Sequence, residues 1–369
     1  MTRFRIFCCL LLCLGIGQGS FALQVTGLFA HRIAVANESP AERDRAMREA
    51  FAAVILKVTG QDRWLAHPAI EQARQNAQNF VQAVSYSSET LRVEIDPEQE
   101  IDPDNPPPTT REQRYIDVDF SSQLIQDLLT NAGIPIWDSN RPSVLVWMAL
   151  QDATGNRRMM TGDVDGEIIN LIQEIAADRG LPVIFPVLDF EDRQNLTADT
   201  IWSLDEAAIR TASARYGADS VLAGRLHFTA TGELVGLWQF LFQDNVTVFD
   251  GLDTALQSYL EVPLTRITNE LASYFAILPG EDQLSSVRLR IDGVGDLTAY
   301  SALVAYVSSL GLVETVTTAA VDGTRLELQL GLLGNPQQLA ELIALDRDLI
   351  PIDNTAASEN PFMHYRWTR

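Results

Sequence analysis

All three cysteines of the chain, Cys8, Cys9 and Cys13, lie close to its amino terminus, and no thiol follows them. The sequence after Cys13 therefore has no disulfide frame, no thiolate zinc centre and no cysteine nucleophile. Whatever it folds into must be held by an apolar core alone. The chain has 369 residues, which is long enough to bury such a core and predicts two or three domains.

The cysteines sit inside a segment with three parts. Arg3 and Arg5 give a positive start, Phe4 to Ile16 is apolar, and Gly15, Gly17 and Gly19 precede Ser20-Phe21-Ala22. Ser20 and Ala22 are the small residues a signal peptidase reads, so residues 1–22 are expected to be a secretory signal cleaved between Ala22 and Leu23. The apolar part is short for an uncleaved membrane anchor. A lipid on Cys13 would need small residues before it, and Leu10, Leu11 and Leu12 are bulky. The helix-like run Tyr259 to Leu278 is interrupted by Glu261, Arg266 and Glu270. The expectation is a periplasmic protein with no stable membrane insertion after cleavage.

Charge narrows the partners. There are 27 basic and 49 acidic residues, a net charge of −22, and Lys57 is the only lysine. Such a surface repels nucleic acid and anionic headgroups. It suits solubility, or surroundings rich in salt.

Periodicity divides the chain into three α/β segments. In residues 23–137, Leu23 to Ala36 reads as a strand and Pro40 to Thr59 as a helix. Ser39 and Pro40 start that helix and Gly60 stops it. A helix from Pro68, strands Val84 to Ile95 and Tyr115 to Phe120, a helix Ser121 to Asn131 and a short strand Ile134 to Trp137 complete a β-α-α-β-β-α-β order. Asp96 to Arg114, with five prolines among acids and amides, cannot bury a core and reads as a disordered loop between two strands. In residues 138–280, strand Ser143 to Leu150, polar loop Thr154 to Gly166, helix Gly166 to Arg179 and strand Leu181 to Phe190 imply a parallel pair. Helix Leu204 to Tyr216, three hairpin-ordered strands between Ala218 and Phe249 and a helix Asp253 to Ile277 make a wound, mixed sheet. Residues 284–369 follow a β-α-β-β-α-β, ferredoxin-like order ending in a short strand Leu349 to Ile352.

The standard catalytic signatures are absent. No nucleophile elbow or phosphate loop is present, and His31, His67, His227 and His364 share no ligand spacing. Asp163-Val164-Asp165-Gly166-Glu167 resembles the start of a calcium loop, but its glycine comes too early, and it reads as a helix start with acids on the positive dipole end. Asp189, Glu191 and Asp192 are the candidate metal ligands: they follow a central strand, where wound sheets collect ligands, and three carboxylates suit a hard divalent ion. Arg193, Gln194 and Asn195 beside them favour a solvated loop instead. Trp137, Trp147, Trp202 and Trp238 fit core packing better than a sugar-stacking platform.

The runs Ile55-Leu56-Lys57-Val58-Thr59-Gly60, Arg141-Pro142 with Leu145-Val146-Trp147, Arg179-Gly180-Leu181-Pro182 with Pro186-Val187-Leu188-Asp189-Phe190-Glu191-Asp192, and Ala214-Arg215-Tyr216-Gly217-Ala218-Asp219 with Gly224-Arg225 resemble the exported Gram-negative family called domain of unknown function twenty sixty-six. That resemblance implies no activity. Ala207 to Phe228 is also similar to the amino-terminal domain of TolB and to accessory domains of outer-membrane lipoproteins, a likeness that implies protein binding without catalysis. Gly217 permits the helix-to-strand exit, and Gly224 admits a close neighbour on its strand. Together these readings give a non-catalytic envelope protein that binds a protein partner and needs no cofactor. The alternative is a metal-dependent enzyme built on Asp189, Glu191 and Asp192.

Overall fold

Ser39 places its side chain on the Glu42 N–H, Pro40 occupies the first turn, and Gly60 adopts φ 67°, so one helix starts and stops where its capping residues dictate. That helix belongs to a computed structural model describing residues 25–92, 110–278, 285–333, 335–346, 348–352 and 362–368. Its first part runs β1 (Ala30–Val35), α1 (Pro40–Thr59), α2 (Pro68–Gln75), β2 (Val81–Arg92), β3 (Thr110–Phe120) and α3 (Ser122–Asn131). The sheet order is β1-β3-β2, antiparallel throughout. Ala46, Ala50, Phe51, Val54, Ile55 and Val58 line the buried face of α1 and join Ile116, Val118 and Phe120 of β3. Each large side chain so buried contributes about 1.5–3 kcal/mol.

Three expectations change here. The first strand spans only Ala30–Val35. Thr110 to Arg114, read as loop, belong to β3 and pair with Arg92 to Ser88; backbone hydrogen bonds extend the ladder where side chains show no apolar alternation. The rest of the expected loop up to residue 109, like Ala22 and Leu23, lies outside the described residues. Ile134 to Trp137 is no strand; only Ile136 forms a bridge, to Ile277.

The second part runs β4 (Val144–Gln151), β5 (Arg157–Met159), α4 (Gly166–Asp178), β6 (Val183–Ile184), α5 (Phe190–Asn195), α6 (Ala198–Trp202), α7 (Glu206–Ser213), β7 (Ser220–Phe228), β8 (Leu234–Phe242), β9 (Asn245–Asp253) and α8 (Leu256–Phe275). The order is β5-β4-β7-β8-β9, and β6 pairs with the start of β4. β4 lies parallel to both β6 and β7. Its continuous apolar run follows from burial on both faces. Val144, Val146, Met148 and Leu150 face α4 and α8, while Leu145, Trp147 and Ala149 face α6 and α7. A Cβ on Gly224 would collide with the Trp238 ring. The expected strand Leu181 to Phe190 shrinks to two paired residues. Pro182 and Pro186 cannot donate to a ladder, Leu188 turns the chain with φ 57°, and Asp189 caps α5. The polar stretch Thr154 to Gly166 contains β5, which pairs with the end of β4.

The third part runs β10 (Ser285–Asp292), α9 (Leu297–Ser309), β11 (Val313–Asp322), β12 (Arg325–Leu332), α10 (Pro336–Asp346), β13 (Leu349–Pro351) and β14 (Met363–Trp367). Its sheet order is β11-β12-β10-β14-β13. The split β-α-β core of a ferredoxin-like sheet is present. The expected last strand, β13, is displaced to the edge because β14 lies between, parallel to β10.

The molecule is thus mixed α/β, with its sheets inside residues 30–120, 144–253 and 285–367. Its cores do not divide the same way. One apolar cluster runs from Trp137 and β4 through α8 to β10, β12 and Trp367, whereas β1–β3, α1 and α3 enclose a separate one. Arg141 sits where the separate core meets the rest. Its guanidinium donates to the carbonyls of Lys57 (2.7 Å), Trp137 (2.7 Å), Asp138 (2.7 Å), Arg179 (3.3 Å) and Gly180 (3.0 Å), and stacks on the Trp137 ring at 4.1 Å. The carboxyl ends of α1 and α4 converge on one cation, as their dipoles favour.

Candidate functional site

After β6 the chain passes through Phe185-Pro186-Val187-Leu188-Asp189 before entering α5. Leu188 is held in the left-handed region, a conformation that a branched side chain adopts only when its surroundings impose it. Those surroundings are a clasp. The short helical turn Ala214–Tyr216, stopped by Gly217 at φ 59°, brings Arg215 and Tyr216 against the loop. Arg215 makes a two-pronged pair with Asp189 at 2.8 and 2.9 Å and reaches Asp192 at 3.0 Å and Glu191 at 3.6 Å. Tyr216 donates its hydroxyl to Asp192 and accepts from the Val187 N–H at 2.9 Å. Asp192 also accepts from the Leu188 N–H at 2.9 Å. The clasp stands on the sheet: the Tyr216 ring meets buried Trp147 edge-on at 5.9 Å, and the Trp147 indole donates to Ser213 at 2.9 Å.

The carboxylates read as metal ligands therefore converge on a guanidinium. Hydrogen bonds from Arg215 and the Asp192 N–H hold the Asp189 carboxyl well below the usual range. Burial, with the bond to Asp192, pushes the Tyr216 hydroxyl up to about 12. The Asp192 side chain is 1% exposed and accepts from Arg215, Tyr216 and a backbone amide. Among the described residues no group of three or more His, Cys, Asp or Glu is arranged to hold a metal ion.

What the clasp presents is apolar. Val187 is 76% and Phe190 78% exposed, on either side of the strained Leu188. Sequence reading placed both at the end of a strand. It noted Arg215 and Tyr216 as a helix end and as part of the family-like run, without a role for either. The legible signal was a proline followed by two apolar residues, a capping aspartate and a phenylalanine.

The remaining candidates are dispersed. His31 lies 4.0 Å from Asp178, His67 caps α2, His227 lies in β7, and His364 pairs with Asp292 at 3.0 Å. Asp165 accepts from Arg158 at 2.5 and 2.6 Å and from the Thr161 N–H. Trp137, Trp147 and Trp238 are core residues. Trp202 lies between Arg157 and Arg225, whose guanidinium carbons stand 4.5 and 5.5 Å from its ring. No helix of the described residues is long and apolar enough to cross a membrane.

Residues 22–138 match the profile of a family described as "Domain of unknown function (DUF8605)". The profile that matches is not that of domain of unknown function twenty sixty-six, the family suggested by the motifs; of those motifs only Ile55 to Gly60 lies in the matched stretch. No curated protein matches the chain. Among solved structures the chain is similar to the C-terminal domain of LpoB from Salmonella enterica, with 13% identity over 36% of this chain and 94% of that one and a TM-score of 0.23. It is also similar to a protein described as uncharacterized, with 10% identity over 36% of this chain and 97% of that one and a TM-score of 0.16. Likeness at these scores bears on neither partner nor activity.

Proposed function

We propose that the chain is a non-catalytic protein-interaction module of the cell envelope, working in the periplasm after cleavage at Ala22, and that it engages its partner through the clasped Val187–Phe190 loop. The observation that carries this reading is the pairing of a strained backbone, held at the Val187 and Leu188 N–H groups, with two side chains left in water. A loop fixed in advance loses little conformational entropy on binding, and exposed apolar side chains on a rigid base are what a partner pocket desolvates. The carboxylates beside it are engaged by Arg215 and Tyr216 in holding that shape.

The test is a photo-crosslinking residue at Phe190 in a Gram-negative host that exports the full chain. A discrete adduct is expected in the periplasmic fraction, on a protein beginning at Leu23. It should be lost with Arg215→Ala, which opens the clasp, and absent when the crosslinker stands at exposed Val262 on α8. No adduct at Phe190, or the same adducts from both positions, would falsify the reading.

A further inference from the structure

Edge strands invite pairing unless something blunts them, and the edges of this molecule differ in that respect. β11 is interrupted by irregularities between Val313 and Thr315 and between Thr318 and Ala320. β2 is irregular between Val81 and Ala83. β9 closes the central sheet and pairs with β8 one-to-one from Phe242↔Asn245 to Leu234↔Asp253 without a break. It contains no proline and no lysine. Counting from the two-residue turn Gln243-Asp244, the antiparallel alternation directs the backbone N–H and C=O groups of Val246, Val248, Asp250 and Leu252 away from β8.

The same four residues share one face of the sheet. Helices α6 and α7 cover that face over β4 and β7 and bury Leu241, but they leave its outer part open. Val248 is 53% and Leu252 69% exposed, with Val246 and, on β8, Val235 exposed beside them. The result is an apolar shelf along an edge that pairs with no second strand among the described residues. The strand's own charges are acidic, and the nearby cations are engaged elsewhere, Arg210 on the Gln243 carbonyl at the turn and Arg266 over the Phe249 ring on the opposite face. Asp250 lies in the row between Val248 and Leu252, and Asp244 and Asp253 stand at the ends of the strand. Arg225, two strands away in the Asp250 row, is turned onto the Trp202 carbonyl.

We infer that β9 is the docking edge for an extended, basic segment of a partner protein, which adds a strand to the central sheet. Such a segment would lay apolar side chains on Val246, Val248 and Leu252 and an arginine or lysine against Asp250. A second copy of this chain fits poorly: it would bring together two acidic edges on molecules that each carry −22. The inference deepens the protein-interaction reading and rests on it, but uses a surface separate from the Val187–Phe190 loop.

The full chain is titrated calorimetrically with a blocked peptide carrying threonine at odd positions and Val, Val, Arg, Val at successive even ones. Controls replace its arginine by glutamate or its valines by serine. The basic apolar peptide is expected to bind and both controls to fail. Val248→Pro removes an outward N–H while leaving the β8 ladder, and should abolish binding. Leu252→Asp alters an exposed side chain and should abolish it too, covering the case in which the proline variant does not fold. Asp250→Asn should weaken binding about fivefold, and Phe190→Ser should leave it unchanged. The inference fails if no peptide binds, if the valine-free peptide binds as well as the apolar one, or if binding survives Val248→Pro. It fails equally if sedimentation shows a dimer of the wild type that Val248→Pro dissociates, since β9 is then occupied by its own copy. A null peptide result beside an intact Phe190 adduct sinks the strand and spares the loop.

Discussion

The guanidinium of Arg215 stands 2.8 Å from Asp189 and 3.0 Å from Asp192, where a divalent ion would otherwise have to sit. Three carboxylates brought together repel one another unless a cation intervenes, and here the chain supplies its own. An added metal would have to displace a bidentate arginine, so millimolar Mg²⁺ is expected to raise the melting temperature no more than a monovalent salt of equal ionic strength does. That control matters, because screening alone relieves a charge of −22. A larger shift with Mg²⁺, lost in Asp189→Asn, would restore the metal-enzyme reading. The same pair makes a pH prediction. The Asp189 carboxyl is depressed in the fold, first by the Arg215 hydrogen bonds. Its contribution is therefore present above the unfolded value of about 4 and lost as pH falls through the lower folded value. Wild type should out-melt Asp189→Asn at neutral pH, and the gap should close as pH drops below about 4. A gap constant from pH 7 to the acid limb would mean that the pair does not stabilise the clasp.

At the scale of elements, what could be read from the sequence was what is fixed locally. α1 follows Ser39, Pro40 and Gly60, α4 begins at the foreseen Gly166, and β4 differs from its expected span by one residue at each end. Caps and apolar periodicity lie within a few residues of the structure they specify. β14 was not legible, because its five residues acquire strand character from β10 far back in the chain; three-residue β5 was hidden in a polar stretch that pairs with the end of β4, whereas β6 was foreseen, but within a strand that was too long. The clasp divides the same way. Its acidic run stood out, but the residue that gives the run its meaning is 26 positions away. Nothing in Phe190 itself marks it as exposed. The proline-rich segment between β2 and β3 offers a test of the corrected boundary. Replacing residues 96–109 with a short glycine-serine link should change the unfolding free energy by no more than about 0.5 kcal/mol, the usual scale for surface changes. Extending the deletion to Arg114 removes the pairs from Ser88↔Arg114 to Arg92↔Thr110 and one to Val35, and should cost several times more. Equal losses in urea denaturation would show that the shorter segment contributes to the fold.

Across the whole molecule, the separateness of the core around α1 poses a coupling problem, because the central and carboxy-terminal sheets share one apolar cluster and the first sheet does not. The connection is largely polar. Gln61 donates to Ser273 at 2.6 Å, Arg179 pairs with Asp62 at 3.1 Å, the Trp137 N–H reaches the Val58 carbonyl at 2.8 Å, and Arg141 gathers carbonyls from both sides. Of these, only Arg141 is both charged and buried, and burial pushes its guanidinium down to about 9, which keeps it protonated at neutral pH. Gly60 completes the joint: a Cβ there would lie 2.5 Å from both the Trp137 ring and Ala272, so nothing larger than glycine fits. Arg141→Ala would strip the donors from carbonyls at the ends of α1 and α4 and should cost about 3–5 kcal/mol. Arg141→Lys keeps the charge but has three donors for five acceptors and cannot span them in a plane, so it should recover only part of the loss. The loss should not be uniform. The core around α1 sits at the severed joint, so calorimetry of Arg141→Ala is expected to resolve an early transition absent from the wild type. Hydrogen exchange should quicken in α1 and β3 while β4 and β7 keep their protection. If Arg141→Ala instead melts in one transition, with exchange rising equally in all four elements, the three sheets form a single cooperative unit and Arg141 is one core contact among many.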